Sequence, residues 1–162
     1  MPNCYLILGT NLGNKLQNLL SAIEHIEEKV GKVSKQSSIY ETEAWGKLSE
    51  HNYLNQALEI YTELRPEKLL KCLLQIEADL GRIRKEKWDD RVIDIDILLY
   101  DQEIVNSEQL TIPHAMMCER RFVLLPLNEI APLAIHPISG KRVENLLYDC
   151  RDQGKVEKLL CF

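Results

Sequence analysis

Two aspartates lie in the middle of an otherwise apolar stretch, "RVIDIDILLYD" (91–101). The β-branched and large apolar residues around them predict a strand, and side chains two positions apart in a strand point to the same face. Asp94 and Asp96 would therefore project side by side, where their charges repel unless a cation lies between them. Mg²⁺ typically takes one or two protein carboxylates together with substrate phosphate oxygens. The spacing favours a metal site, with a solvated strand face as the alternative.

The expected position of this strand strengthens the metal interpretation. Val92, Leu98 and Tyr100 are predicted on the same face as the aspartates. The strand is also the last element of a predicted strand–helix–strand–strand–helix–strand series, so we expect it to be central in its sheet. Both carboxylates would then be buried, and burying a carboxylate without a partner costs several kcal/mol.

A basic segment comes directly before the aspartates. Arginine side chains bind phosphate bidentately, and phosphoryl transfer depends mainly on positioning and on neutralising charge. A run of charge is more often a solvated loop, but this one leads into a carboxylate pair and contains an aromatic residue. Together the basic segment and the carboxylate pair predict a nucleotide site. The residues are Arg82, Arg84, Lys85, Lys87, Trp88 and Arg91.

Other polar stretches are ambiguous on their own. "GTNLGNK" (9–15) lacks the spacing of a phosphate-binding loop, so we interpret it as a strand-to-helix turn. His114 follows a proline, where a histidine is either a ligand or an ordinary turn residue. Arg120, Arg121 and Phe122 fit a helix end as well as they fit a binding site.

Composition sets the wider limits. The chain has 162 residues, 45% of them hydrophobic and 28% charged, which is typical of one globular domain spanning 1–162. With 25 acidic and 20 basic residues, no overall positive field points to nucleic acid. No apolar run is long enough for a membrane span, and no signal peptide is visible. Five scattered cysteines predict reduced thiols in a cytoplasmic protein.

Hydrophobic periodicity predicts the elements that position these groups. Helices are expected at 14–31, capped by Asn14 and ended by Gly31, and at 65–81, with Pro66 in the first turn and Gly81 at the end. Alternation predicts strands at 4–9, 32–45, 52–64 and 91–101. A hairpin-like "EIVN", a helical or irregular segment around 114–132 and a helix around 143–150 follow.

This order predicts an α+β fold. It corresponds to a ferredoxin-like βαββαβ core with C-terminal additions, in which two helices pack on a mainly antiparallel sheet. The helices would cover one face and leave the other open to carry a site.

Several stretches together resemble one family, the 6-hydroxymethyl-7,8-dihydropterin pyrophosphokinases of folate biosynthesis. They run in order over roughly 5–132, whereas the last thirty residues carry no resemblance. The matching stretches are "LGTNLG", "SSIYET…WG", "YLNQAL", "QIEADLGRIRK", "W–R-x-x-DIDILL", "LTIPH" and "RRFVLLPLNEIAP".

The resemblance implies transfer of pyrophosphate, as one unit, from ATP to the hydroxymethyl oxygen of the pterin, leaving AMP. It implies that Asp94 and Asp96 bridge two Mg²⁺ ions along the triphosphate, and that Arg82 and Arg91 are the catalytic arginines. Loops at 42–46 and 82–90 would close over the substrates and exclude water.

The resemblance also implies the two substrate pockets. The pterin would stack between Tyr53 and Phe122, with Asn55 reading its amide edge and Thr42 and the backbone near Trp45 completing the pocket. The positions that match ATP contacts are Glu77, Arg84, Trp88, Ile97, Thr111, His114 and Arg120.

The sequence departs from the family pattern at four positions. Asp89 and Asp90 put negative charge between Trp88 and Arg91, where the family has a small residue and often proline. Glu43 replaces a common proline, and Ala115 replaces an aromatic residue, so one ATP contact is expected to be missing. None of these changes removes a metal ligand or a catalytic arginine.

Two other functions stay open from the residues themselves. A nucleotidyltransferase also uses paired carboxylates and metal ions, but attacks the α-phosphorus. A ferredoxin-like ligand-binding module would have no catalysis and would leave the aspartate pair unexplained. We expect the protein to act as a monomer.

Overall fold

The structure is a computed structural model and describes residues 2–43, 52–81 and 92–159. Within these ranges the elements are β1 (Asn3–Thr10), α1 (Lys15–Lys29), β2 (Gly31–Gln36), β3 (Tyr40–Thr42), β4 (Tyr53–Thr62), α2 (Pro66–Asp79), β5 (Asp94–Tyr100), β6 (Val105–Asn106), β7 (Thr111–Ile112), a 3-10 helix (Met117–Glu119), α3 (Arg121–Ile130), α4 (Val143–Asp149) and β8 (Val156–Lys158).

The main sheet has the predicted ferredoxin-like arrangement. Its strands run in the order β5-β1-β4-β3-β8, and β2 also pairs with β4. Every one of these pairings is antiparallel. Strands β6 and β7 form a small separate sheet, which agrees with the predicted hairpin. The α+β fold is therefore confirmed.

The predicted second strand, 32–45, is divided into β2 and β3, so that prediction was wrong as one element. Ser37 causes the break, because its side chain replaces a carbonyl in the ladder with β4. Its Oγ accepts a hydrogen bond from Ala57 N at 2.9 Å, and its own carbonyl accepts one from Gln56 Nε2 at 2.9 Å. Residues 44 and 45 of the predicted strand lie outside the described ranges.

The helix boundaries follow the expected signals, with one difference. Asn14 caps α1 by accepting from Gln17 N at 3.1 Å, Pro66 begins α2, and Gly81 has a positive φ of 96°. Gly31 stands after α1 for another reason. A Cβ there would collide with the backbone carbonyl of Tyr61 in β4, so this pairing of β2 with β4 requires glycine.

Two apolar clusters lie on opposite faces of the sheet. The larger one packs α1 and α2 against Leu6, Leu58 and Ile97. The smaller one packs α3 and α4 against Ile7 and Ala57. The face that we expected to be open is therefore partly covered, and only its end near Asp94 stays available for a site.

Among the strands that the structure describes, β5 lies at the edge of the sheet, so the expectation that it is central was wrong. The register between β1 and β5 shifts, with Tyr5 opposite Leu99 but Leu6 opposite Ile97. This irregularity inserts one residue and sends Tyr100 to the α1/α2 side, whereas Leu98 stays on the α3 side. Tyr100 therefore does not share the aspartate face.

The C-terminal part adds α3, α4 and β8. A helix was expected around 143–150, and α4 occupies Val143–Asp149. Strand β8 was not predicted, and it pairs with β3. Cys4, Cys72, Cys118 and Cys150 are free thiols, and in the described ranges no helix has the length and apolar character needed to cross a membrane.

Candidate active site

The floor of the candidate site is a row of residues across three strands. Gly9 of β1 lies opposite Asn55 of β4 on one side and opposite Asp94 of β5 on the other. Residues paired in this way point to the same face of a sheet. With strands about 4.8 Å apart, Asp94 and Asn55 stand roughly 10 Å apart across Gly9. The carboxylate and the amide therefore flank a gap.

Gly9 keeps this gap open. A Cβ at this position would lie 3.2 Å from Asn55 Oδ1, which is tighter than ordinary van der Waals contact. Any side chain at Gly9 would fill the space between Asn55 and Asp94. This function of Gly9 was missed at the sequence level, where the glycine was interpreted only as the end of a strand.

Asp94 and Asp96 project from β5 on the same face, as predicted, but they are half-buried. The side chain of Asp96 is 43% exposed. The expectation of two buried carboxylates was wrong because β5 is an edge strand, so one side of the pair meets solvent. Partial hydration reduces the cost of holding two neighbouring charges.

The donor set around these aspartates fits a hard cation that arrives with a ligand. Among the described residues, no three His, Cys, Asp or Glu side chains come together to hold a metal ion. Two carboxylates alone are too few for a structural zinc or calcium site. They match Mg²⁺, which keeps waters and takes its remaining ligands from phosphate oxygens.

His114 lies beside the carboxylates in a defined tautomer. Its Nδ1 accepts a hydrogen bond from Met116 N at 3.2 Å, so the neutral ring carries its proton on Nε2. That Nε2 is 4.0 Å from Asp96 Oδ2. Burial lowers the pKa of His114, and Arg120 lowers it further, whereas Asp94 acts in the opposite direction. The ring is therefore neutral at pH 7, with an N–H donor towards the site.

A cleft of about 230 Å³ borders β5 next to Asp96. It is smaller than the roughly 300–1,000 Å³ typical of pockets for whole ligands, so it suits one part of a larger molecule. Three predicted ATP contacts line it, namely Ile97, Thr111 and His114. Ala115 also lines it, at the position where we expected a missing aromatic contact.

Glu77, another predicted ATP contact, lies on α2 and is only 2% exposed. Its Oε2 accepts a hydrogen bond from Ile95 N at 2.7 Å. This bond joins α2 to the outer edge of β5, because β1 occupies the inner edge. The contact of Glu77 with ATP stays a prediction.

Three of the predicted pterin residues, Thr42, Tyr53 and Asn55, lie together on the other side of the gap. Asn55 is nearly fully buried and donates from Nδ2 to Thr42 Oγ1 at 3.1 Å. Tyr53 lies opposite Thr42 in the pairing of β3 with β4. The alternation of β4 places Tyr53 and Asn55 on the face of Ala57, which is the α3 side.

Phe122 stands in the first turn of α3, half-buried against the smaller apolar cluster. The guanidinium carbon of Arg120 lies 5.7 Å from the centre of its ring. Arg120 also influences His114 electrostatically, so it connects the predicted pterin and nucleotide sides. Stacking of the pterin between Tyr53 and Phe122 stays a prediction.

Five predicted site residues fall outside the described ranges. They are the catalytic Arg82 and Arg91, together with Trp45, Arg84 and Trp88. The departures at Asp89 and Asp90 also fall there.

Glu129 of α3 is a supporting residue that the sequence interpretation missed. Its carboxylate accepts from Tyr40 OH at 2.6 Å, from Ser38 N at 2.8 Å and from Ser38 Oγ at 3.0 Å. Burial alone would raise the pKa of Glu129, but these hydrogen bonds outweigh it and hold the pKa below its usual value. The only available signal was its place in the "LPLNEIAP" stretch.

The fold and the site define a class of α+β proteins. An antiparallel sheet carries paired, half-exposed carboxylates beside a cleft at one end and a neutral amide–hydroxyl pair across a gap. Residues 5–132 match the family described as 7,8-dihydro-6-hydroxymethylpterin-pyrophosphokinase (HPPK). The chain belongs to this family.

Similar proteins agree with this assignment. The chain is 45% identical over 148 residues to the 2-amino-4-hydroxy-6-hydroxymethyldihydropteridine pyrophosphokinase of Methylorubrum extorquens, covering 91% of this chain and 92% of that one. It is 42% identical over 155 residues to the folic acid synthesis protein FOL1 of Dictyostelium discoideum, covering 96% of this chain but 23% of that protein.

A solved structure shares the fold. A Plasmodium falciparum HPPK-DHPS crystal structure superposes with a TM-score of 0.77 at 18% identity, covering 91% of this chain and 45% of that one. At this level of identity the likeness supports the fold alone.

Proposed function

We propose that this chain transfers a pyrophosphoryl group to the hydroxymethyl oxygen of 6-hydroxymethyl-7,8-dihydropterin, in folate biosynthesis, with ATP as the donor. Membership of the HPPK family supports the reaction. The observation that carries it is the row across the sheet, in which the carboxylate of Asp94 and the amide of Asn55 face one gap across Gly9. That gap separates a phosphate-binding half from a heterocycle-binding half.

The reaction forms one bond and breaks another. The pterin hydroxyl oxygen attacks the β-phosphorus of ATP, and the bond from that phosphorus to the oxygen bridging to the α-phosphate breaks. AMP leaves with the bridging oxygen, and the hydroxyl proton is released. The chain must hold both substrates in line and offset charge that develops on the transferred group.

Asp94 and Asp96 would hold Mg²⁺, and we propose two ions with ATP. When bound, the ions would neutralise phosphate charge and make the hydroxyl more acidic. Arg82 and Arg91 would bind the triphosphate and steady the leaving group. His114 would donate its Nε2–H to a phosphate oxygen, which suits a neutral ring of this tautomer.

The two pockets follow the proposed roles. Thr42, Asn55 and the backbone near Trp45 would read the polar edge of the pterin, and Tyr53 and Phe122 would stack on its faces. An amide already held by a hydroxyl at 3.1 Å is fixed before the ligand arrives. Nucleotide contacts would come from Glu77, Arg84, Trp88, Ile97, Thr111, His114 and Arg120.

We also propose that residues 1–162 form one domain, that it works as a monomer and that it acts in the cytoplasm. Size-exclusion chromatography with light scattering would test the monomer, since a mass well above 18.8 kDa would contradict it.

Product analysis tests the reaction. The protein is incubated with ATP, Mg²⁺ and 6-hydroxymethyl-7,8-dihydropterin, and the products are separated by ion-exchange chromatography. We expect equal amounts of AMP and pterin diphosphate. Free pyrophosphate with an adenylylated pterin would instead identify a nucleotidyltransferase, and intact ATP would identify a ligand-binding module.

A further inference from the structure

We propose that the C-terminal segment, residues 150–159, positions the pterin half of the site, with Asp152 as its central positioning residue. This proposal rests on the proposed function. The segment lies beyond the part of the chain that matches the family, 5–132. It contacts two elements that carry predicted pterin residues and has no predicted ligand contact of its own.

The first contact is at the beginning of α3. Asp152 Oδ2 accepts a hydrogen bond from Arg121 N at 3.0 Å, and Oδ1 accepts one from Gly154 N at 2.8 Å. The first amides of a helix have no partner within the helix, and a carboxylate there is favoured by the helix dipole. The residue that precedes α3, Arg120, supplies no side-chain cap. Asp152 therefore caps α3 from a distant part of the chain.

This cap acts on the residues around it. Arg121 is flanked by Arg120 and Phe122, whose guanidinium and ring lie 5.7 Å apart. Because Asp152 fixes the backbone amide between them, it fixes where the first turn of α3 presents both side chains. A loosened first turn would misplace Phe122 relative to Tyr53.

The second contact is at β3, which has only three residues. Strand β8 pairs along its outer edge, with Val156 opposite Thr42 and Lys158 opposite Tyr40, and Leu159 N donates to Ile39 O at 2.8 Å. The inner edge of β3 pairs with β4, and the Thr42 hydroxyl accepts the hydrogen bond from the Asn55 side chain of β4. Strand β8 therefore holds β3 in place from the side opposite Asn55.

Within these ten residues the segment joins the aromatic part of the proposed pocket to its hydrogen-bonding part. The ion pair of Lys158 Nζ with Glu129 at 3.8 Å adds a link between β8 and α3. We infer that the segment sets the distance between Phe122 and Thr42, and therefore the fit of the pterin rather than of ATP.

The test substitutes Asp152 in the full chain. Loss of a helix cap shifts a local equilibrium by roughly twofold to thirtyfold. We expect Asp152→Ala to raise the KM for the pterin about tenfold, with the KM for ATP changed less than about twofold. Asp152→Asn retains one of the two acceptors and should fall between. Asp149→Ala is the matched control. In the part of the chain that the structure describes, the ion-pair partner of Asp149 is the exposed Lys141, with Nζ 3.1 Å from Asp149 Oδ2.

A second pair of variants tests β8 through its backbone. The bond from Leu159 N to Ile39 O makes that pair a hydrogen-bonded one, so Glu157 and Glu41, two residues along, form another. Glu157→Pro removes the amide donor, whereas Glu157→Ala keeps it and removes the same side chain. We expect only the proline variant to raise the KM for the pterin.

Amide hydrogen exchange separates this proposal from the proposed function. Asp152→Ala should speed exchange at 121–124 and at 40–42, whether or not the protein is active. Unchanged exchange there, or equal rises in both KM values, would overturn the positioning role. If the wild-type protein makes no AMP but the exchange effect is present, the proposed function fails and the structural link stands.

Discussion

The two halves of the site are built differently. On the proposed pterin side, hydrogen bonds within the protein hold the polar groups: Asn55 to Thr42 at 3.1 Å and Tyr40 to Glu129 at 2.6 Å. At the carboxylates of the proposed nucleotide side, Nε2 of His114 lies 4.0 Å from Asp96 Oδ2, and the Asp96 side chain is 43% exposed.

The difference follows from what each half is proposed to bind. A neutral heterocycle is recognised by a few donors and acceptors, which must already point in the right direction. A triphosphate arrives with its own cations, so the protein needs carboxylates that those cations can reach from solvent. Substitutions on the two sides should therefore fail in different ways.

The largest effect is expected for Asp94→Ala or Asp96→Ala. Each should lower kcat about a thousandfold or more, because several kcal/mol of charge stabilisation would be lost. The melting temperature should change little, since both residues are half-buried. AMP release and thermal unfolding are the measurements, with the exposed Asp79→Ala as a control. Activity near the wild-type value would contradict the metal role.

Gly9→Ala should act across the boundary between the halves. The new Cβ would lie 3.2 Å from Asn55 Oδ1 and displace the amide. We expect the KM for the pterin to rise about tenfold, with a smaller rise for ATP, because a misplaced amide loses roughly 1–1.5 kcal/mol of hydrogen bonding. Steady-state kinetics with each substrate varied in turn would measure this. A larger effect on ATP would place the gap in the nucleotide half.

Glu129→Ala should loosen the pterin side without touching the proposed ligand. It removes the acceptor of three hydrogen bonds that join α3 to Tyr40 of β3 and to Ser38, which precedes β3. Since the carboxylate is partly exposed, we expect the free energy of unfolding to fall by about 2 kcal/mol. Urea titration measures the loss, and Tyr40→Phe, which removes one bond, should lose about 1 kcal/mol. Equal losses for the two variants would mean that the Ser38 bonds contribute nothing.

Acid should produce the smallest effect, again on the pterin side. The pKa of Glu129 is lowered in the folded protein, so its charged form stabilises the fold above the unfolded pKa near 4.5. That stability is lost as the pH falls from there through the lowered pKa. The difference in unfolding free energy between wild type and Glu129→Gln should therefore shrink in this window. A difference that stays constant from pH 6 to pH 3 would contradict the linkage.

Local patterns were sufficient for much of the fold. The apolar stripes, Asn14, Pro66 and Gly81 predicted α1 and α2 because each signal acts within a few residues. The break at Ser37 was missed because it depends on a bond to Ala57, twenty residues away. The edge position of β5 depends on which strands pair, and no local pattern states that.

In the candidate site, too, local patterns predicted some features, whereas features that depend on distant contacts were missed. Alternation correctly placed Asp94 and Asp96 on one face, but the irregularity between Tyr5 and Leu6 moved Tyr100 to the other. The role of Gly9 depends on its neighbours across two strands. The contact of Asp152 with Arg121 joins residues far apart in a stretch where no resemblance was available.

The outer side of β5 has one more consequence. An uncovered edge strand offers free amides and carbonyls to which another chain can add itself as a further strand, and this is a route to aggregation. Here Ile95 N is occupied by Glu77 Oε2, and Leu98 O receives the amide of His114. The groups around the proposed nucleotide half therefore also occupy backbone groups at the end of the sheet. In this way they make it harder for another chain to add a strand to β5 and start aggregation.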